Sequence, residues 1–285
     1  MNGRLLLGLI GASIQRSLAP ALHEEEGRRH GLRIHYQLID LEAHRQPAEA
    51  LPVLVDAIRL MGFAGVNVTH PCKQAIVPLL DALSDEARAI GAVNTVVREG
   101  DRLVGHNTDA SGWAWGFRRA LPGADLSCVV LLGAGGAGAA CAHAVAALGP
   151  EEVRVLDEDS RRAKALVEGL QKRFPRLKAE AKDRIERALE GASGLVHATP
   201  TGMANHPGMA VPAVLLRPDL WVSEVVYVPL ETPLLKAARA AGCRTMDGGE
   251  MNVGQALDAF RLFTGREPDA ARMAAHFRSL AEARA

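Results

Sequence analysis

The chain has 285 residues, 48% hydrophobic and 23% charged, an ordinary globular composition with room for two domains. Thirty-three basic side chains balance thirty-three acidic ones, so the electrostatic footprint of a nucleic-acid or polybasic membrane binder is missing and neither partner is expected. Cys72, Cys128, Cys141 and Cys243 lie without C-x-x-C spacing, which argues against structural zinc and a disulfide framework; no metal is expected.

The stretch Met1 to Ile10 has a short apolar run containing glycine and leads into a loop, so it reads as a strand and not as a signal peptide. No apolar run approaches the roughly 18 residues of a membrane helix, and the cytoplasm is the expected location. Strand-like and helical patterns then alternate: Leu5 to Ile10, Ala21 to His30, His35 to Ile39, Ala48 to Met61 and Gly65 to Val68. That rhythm predicts an α/β unit with a mainly parallel sheet. In Asn67-Val68-Thr69-His70-Pro71-Cys72-Lys73 a strand ends in a turn, with Pro71 suited to the first helical position. The polar side chains there fall at the carboxyl end of a strand, where open α/β sheets bind ligands.

Lys73 is either a titratable group for chemistry or a helix lysine in solvent. Cys72 beside it reads as a packing residue, with a lowered-pKa thiol as the alternative. Asn94, among the apolar residues of Gly91 to Val96, is expected to be buried and to need partners, which a polyol would supply. Asp109 is a helix N-cap or a carboxylate for catalysis. His23 and His70 read as structural or surface residues. The boundary between units is expected near Asn107 to Ser111, before the helix that carries Trp113, Trp115 and Phe117.

Residues 129–138, Val-Val-Leu-Leu-Gly-Ala-Gly-Gly-Ala-Gly, read as a buried strand entering a tight turn, and the small and apolar residues from Ala139 to Leu148 as the helix that follows. Gly133, Ala134, Gly135, Gly136, Ala137 and Gly138 then form a loop whose glycines tighten the turn, admit a pyrophosphate to the backbone and let helix and strand pack closely. Glu152 to Leu156 reads as the next strand, closed by Asp157 at 19 residues beyond Gly138, where a carboxylate accepts from the adenosine ribose. This is a dinucleotide site, and the negative charge of Asp157 favours NAD over NADP. Arg161 and Arg162 read as a solvated first helical turn, or as the clasp of a 2′-phosphate that would admit NADP. The alternation resumes through Arg161 to Arg173, Gly194 to Ala198, Leu220 to Val226 and Pro233 to Ala241. Pro207 and Pro212 flank a loop after Gly202-Met203 that could gate a cleft between the units. From Glu250 the chain reads as helical, broken at Thr264 to Pro268, with Ala256, Phe260 and Phe263 placed to cover the first unit.

Taken together, Ile14 to His23, Asn67 to Lys73, Gly91 to Val96, Gly105 to Asp109, the glycine loop, Ala198 to Met203, Tyr227-Val228-Pro229 with Thr232-Pro233, and Gly248 to Gln255 resemble the shikimate dehydrogenase family, in this order and over nearly the whole chain. Asp157 and the run Asp258 to Gly265 resemble its NAD-preferring quinate/shikimate branch. The resemblance implies a substrate-binding α/β domain over residues 1–108 plus 250–285 and a Rossmann-type dinucleotide-binding domain over 109–249, with the C-terminal helices packed back on the first domain. It implies Lys73 and Asp109 as the catalytic pair, Lys73 accepting or returning the hydroxyl proton. Thr69, Asn94 and Gln255 would bind ring hydroxyls, Ser17 and Tyr227 the carboxylate. Gly249 with Val226 would border the nicotinamide, with Thr199 and Arg162 also on the cofactor side.

The family pattern has a hydroxyl where this chain has Ala19, in Ser17-Leu18-Ala19-Pro20. A lost hydrogen bond to a charged group costs about 1.5 to 3 kcal/mol, so the ring substrate is the open point. The function implied is reversible, NAD-dependent oxidation of a ring hydroxyl of shikimate or quinate, cyclitol carboxylates, by a cytoplasmic enzyme for which a homodimer is an allowed assembly. The alternatives are NADPH reduction of 3-dehydroshikimate on the shikimate pathway to aromatic amino acids, oxidation of an aminated analogue, and a cofactor-binding sensor without turnover.

Overall fold

A computed structural model describes residues 3–43, 45 and 48–284. Met1, Asn2 and Ala285, at the ends of the expected first strand region and C-terminal segment, lie outside the described residues. The chain divides into two compact units, Met1–Thr108 with Gln255–Arg284, and Asp109–Gly254.

The first unit is built on strands β1 (Arg4–Gly11), β2 (Arg33–Asp40), β3 (Gly65–Val68), β4 (Ala82–Leu83), β5 (Thr95–Glu99) and β6 (Arg102–His106), in the sheet order β2-β1-β3-β5-β6-β4. Its helices are α1 (Ala19–Arg29), α2 (Leu51–Met61), α3 (Cys72–Ala75) and α4 (Asp85–Ile90). Each boundary has a local cause. Proline in the first turn of α1 and α2 gives up an N–H that has no intrahelical partner there. Gly62 ends α2 in the left-handed conformation, and Ser84 caps α4 by accepting from the Ala87 N–H at 3.1 Å.

Alternation along β1 sends Leu7 and Leu9 to one face of the sheet and Leu6 and Ile10 to the other. The second face packs with Val66, Val68 and the α2 residues Leu51, Val55 and Ile58. The sheet is more mixed than a β-α-β rhythm implies: β1 runs parallel to β2 and β3, while β5 is antiparallel to both β3 and β6. Only a tight turn at Gly100 joins β5 to β6, too short for the crossover that a parallel pair needs.

The second unit carries α5 (Asp109–Ala120), β7 (Cys128–Leu132), α6 (Gly136–Ala147), β8 (Glu152–Leu156), α7 (Ser160–Arg173), β9 (Lys178–Ala181), α8 (Ile185–Leu189), β10 (Gly194–His197), β11 (Trp221–Glu224), α9 (Pro233–Ala240) and β12 (Thr245–Met246). Its sheet, β12-β11-β10-β7-β8-β9, is parallel throughout, with the order reversing at β7, the doubly wound arrangement that places a ligand at the switch point. Trp113 of α5 is fully buried, donates from Nε1 to Ser223 Oγ at 3.0 Å and stacks on Phe117.

Helix α10 (Gly248–Thr264) begins in the second unit and ends in the first, where α11 (Ala270–Glu282) follows. Within the first unit, Phe263, one of the residues expected there, covers the Leu7–Leu9 face together with Ala259, while Phe260 packs against His23 and His30. Glu26 of α1, 1% exposed, receives Arg272 of α11 and the N–H of Asp269 at 2.9 Å, which ties the C-terminal helix down. Burial alone would raise the Glu26 carboxyl, but these donors, Arg272 foremost, hold it below its ordinary value. Among the described residues no helix is long and apolar enough to cross a membrane.

Candidate active site

In the first unit the expected residues collect at the carboxyl ends of β1 and β3. Asp40, 1% exposed at the end of β2, organises the loop leading to Ser17: its oxygens accept from the N–H groups of Ser13, Ile14 and Glu42 at 3.0 to 3.1 Å and from the Gln15 amide at 3.0 Å. Burial acts to raise the Asp40 carboxyl, yet the Gln15 side chain and the loop N–H groups hold it low, so it stays charged and keeps the loop folded around it. Sequence reading did not single it out; its one signal is a carboxylate ending a strand run. Beyond it, Ser17 Oγ accepts from the Ala19 N–H at 3.2 Å, and Ala19 opens α1.

Thr69 donates its N–H to the Ile10 carbonyl at 2.8 Å, docking the turn after β3 on the end of β1. Pro71 falls at the cap of α3, one position before the one expected, and Cys72 is its first residue. The Cys72 side chain is fully buried in the core and burial pushes its thiol up, so the packing role holds and the reactive one does not. That anchor fixes Lys73, half-buried on the next position, whose carbonyl accepts from the Val93 N–H at 2.8 Å.

Lys73 thus stands one residue across from Asn94. Asn94 is 3% exposed, and its amide is held within the protein: Oδ1 accepts from the Thr108 N–H at 2.7 Å and from Thr95 Oγ1 at 3.1 Å, and Nδ2 donates to Thr108 Oγ1 at 2.9 Å. A network that the sequence did not reveal supports it from behind. Tyr36 donates to Asn67 Oδ1 at 2.7 Å, and Asn67 Nδ2 donates to Thr95 Oγ1 at 3.0 Å. Gln255, half-buried on α10, belongs to the same unit. His70 is exposed, while His23 is wholly buried.

In the second unit, Asp109 is 5% exposed and is the first residue of α5, not a residue preceding the helix. Strand β7 runs into the glycine loop and α6 starts at Gly136, capped by Gly135. Gly133 has φ of +103°, open to glycine at little cost, and lies against the Ala198 carbonyl. A Cβ at Gly138 would collide with the carbonyl oxygen of Gly133, so the helix packs at a distance that admits hydrogen alone. At Gly135, by contrast, a Cβ would meet nothing within 4 Å: the loop is closed beneath and open above, as a pyrophosphate cradle requires.

Asp157 closes the loop. Its Oδ2 accepts from the Ala134 N–H at 2.7 Å and its Oδ1 from the Asp159 N–H at 2.9 Å, which leaves each oxygen a lone pair for a ribose hydroxyl. These features fit an adenine dinucleotide. Arg161 is paired to Asp159 at 3.0 Å and is 89% exposed, in keeping with a solvated first turn, and Arg162 is exposed beside it. Tyr227 and Thr199 are half-buried after β11 and β10, Val226 is 7% exposed, and Gly249 donates its N–H to Asp247 Oδ1 at 2.9 Å. Two fully buried residues, His197 and Glu224, end β10 and β11 directly behind Thr199 and Val226.

Residues 9–96 match the family model for the shikimate dehydrogenase substrate binding domain. The shikimate dehydrogenase (NADP(+)) of Streptomyces avermitilis is 57% identical over 278 residues, 97% of this chain and 96% of that protein. The quinate/shikimate dehydrogenase (NAD(+)) of Corynebacterium efficiens is 49% identical over 97% of this chain and 98% of that protein. The solved quinate dehydrogenase from Corynebacterium glutamicum in complex with NAD superimposes with a TM-score of 0.89 at 46% identity, covering 97% of this chain and 99% of that one.

Proposed function

Because the chain belongs to the shikimate dehydrogenase family, we propose that it is an NAD-dependent dehydrogenase of shikimate, and of quinate, acting reversibly on a ring hydroxyl. The observation that carries the cofactor choice is Asp157, whose carboxylate is fixed on the Ala134 N–H beside the open face of the glycine loop. A 2′-phosphate at that place would meet negative charge, whereas ribose hydroxyls meet acceptors. The relatives named for NAD support the same choice.

Bound NAD would supply the hydride acceptor. The proton falls to the chain: Lys73 accepts it from the substrate hydroxyl and returns it in the reverse direction, while Asp109 hydrogen-bonds both the lysine and that hydroxyl. Thr69, Asn94 and Gln255 hold ring hydroxyls, and Ser17 with Tyr227 holds the carboxylate. Anchoring of Lys73 by buried Cys72 and of Asn94 by Thr108 supports this reading, because a proton acceptor works only when held in place. Val226 and Gly249 border the nicotinamide, with Thr199 also on the cofactor side. The proposal extends to a cytoplasmic location and a homodimer.

A second reading, use of NADP in reducing 3-dehydroshikimate, is favoured by the name of the Streptomyces avermitilis relative and would rely on Arg162 for the phosphate. Initial rates with shikimate, quinate and an amino analogue, each against NAD and NADP, separate the readings. Faster turnover of shikimate with NAD is the expected result; faster turnover with NADP overturns the cofactor assignment, and preference for the amino compound overturns the substrate.

A further inference from the structure

We propose that His197 and Glu224 are a positioning pair that sets the hydroxyl of Thr199 and the backbone of Val226 for the cofactor. The inference rests on the placement of Thr199 on the cofactor side and Val226 at the nicotinamide in the proposed function. The two strands that carry the pair end in register, His197 opposite Glu224, and both side chains are wholly buried. Nδ1 of His197 lies 2.8 Å from Glu224 Oε1, and Nε2 lies 2.5 Å from Thr199 Oγ1.

A carboxylate only accepts, so Nδ1 carries a proton and donates to Glu224, which fixes the ring and aims Nε2 at the Thr199 hydroxyl. Thr199 Oγ1 also accepts the Thr201 N–H at 3.3 Å. The hydroxyl is thereby held between the imidazole and the Thr201 N–H, and one orientation is left to face a ligand. Without the imidazole the same hydroxyl would rotate.

Glu224 governs the neighbouring segment in the same way. Its Oε1 also accepts the Val226 N–H at 3.0 Å, fixing the chain as it leaves β11, and its Oε2 accepts from Thr232 Oγ1 at 3.0 Å, the residue that caps α9. Ala198 and Thr199 in turn lie against Gly133, within 3.0 Å of where a Cβ would stand. One buried pair therefore couples the turn after β10, the turn after β11, the start of α9 and the glycine loop. An apolar pair of similar volume would fill this space as well and commonly costs no stability, but it could not orient a hydroxyl or hold an amide.

Three variants test this by direct titration with NAD and by steady-state kinetics. His197→Asn keeps a donor at the Nδ1 place and reaches no further, cutting the contact to Thr199; His197→Gln extends to the Nε2 place and restores a partner there. The expected result is an NAD Kd raised about tenfold in His197→Asn and within about threefold of wild type in His197→Gln, with the shikimate KM little changed. Thr199→Val should add nothing further to the Kd of His197→Asn, because both remove one contact. An unchanged NAD Kd in His197→Asn overturns the inference. So does equal weakening in the asparagine and glutamine variants, which marks a general loss of packing, or full additivity with Thr199→Val. A wild-type protein that binds neither NAD nor NADP overturns the proposed function itself, which separates the two failures.

Discussion

Ser17 and Ala19 sit on one turn of chain, and the bond between them governs what a substrate carboxylate would meet. Ser17 Oγ accepts the Ala19 N–H at 3.2 Å, so its own proton stays available to donate, but Ala19 adds no second donor. A hydroxyl at that position restores one. Ala19→Ser should lower the shikimate KM by about tenfold, the worth of one hydrogen bond to a charged group. Steady-state kinetics read this, and an unchanged or raised KM contradicts the placement of the carboxylate. At this scale the sequence was informative where a residue's neighbours in the chain determine its role. Cys72 was legible as a packing residue, and the structure buries it fully. The partners of Asn94, by contrast, were not: Thr108 reaches it from 14 residues away, and only the folded sheet brings them together.

The strand, turn and helix from β7 to α6 form the element on which cofactor binding depends, and its close packing was legible because a glycine loop between an apolar run and a small-residue run has few other uses. Gly138→Ala tests it. The added methyl would strike the Gly133 carbonyl, which is backbone and cannot swing aside, so the loop must open. Thermal unfolding and NAD titration should show a loss of about 1 to 3 kcal/mol in stability together with weakened NAD binding, and an unaltered protein would contradict the packing. Less of the first sheet was legible. The edges of β3 and β8 follow their apolar runs, but hydrophobic alternation does not say which way neighbouring strands run, so the antiparallel placement of β5 went unpredicted. His197 and Glu224 were hidden for the same reason: each closes an apolar strand run, and nothing local indicates that β10 and β11 lie side by side.

For the molecule as a whole, part of the sensitivity to acid lies in its buried histidines. His23 is stacked on Tyr36 at 5.1 Å and near Phe260 at 6.3 Å, and neither ring nitrogen has a hydrogen-bond partner. Burial lowers its pKa from 6.5 to about 4, against the opposing charge of Glu26. Between those values the unfolded chain binds a proton that the folded one refuses, so stability is full above pH 6.5 and falls as the pH drops towards 4. The loss is about 2 kcal/mol between pH 7 and pH 5. His143, also lowered to about 4 by burial, acts in the same direction. Denaturant midpoints should therefore decline less from pH 7 to pH 5 in His23→Phe than in wild type; parallel declines contradict the assignment. In the proposed function Lys73 removes the proton while the dinucleotide is held elsewhere in the chain. The most direct measurement is kcat with shikimate and NAD for Lys73→Ala, set beside its NAD Kd. A kcat lowered by about 10² to 10⁴ with NAD Kd within about twofold of wild type is expected, and a kcat within about tenfold of wild type would rule out this role for Lys73.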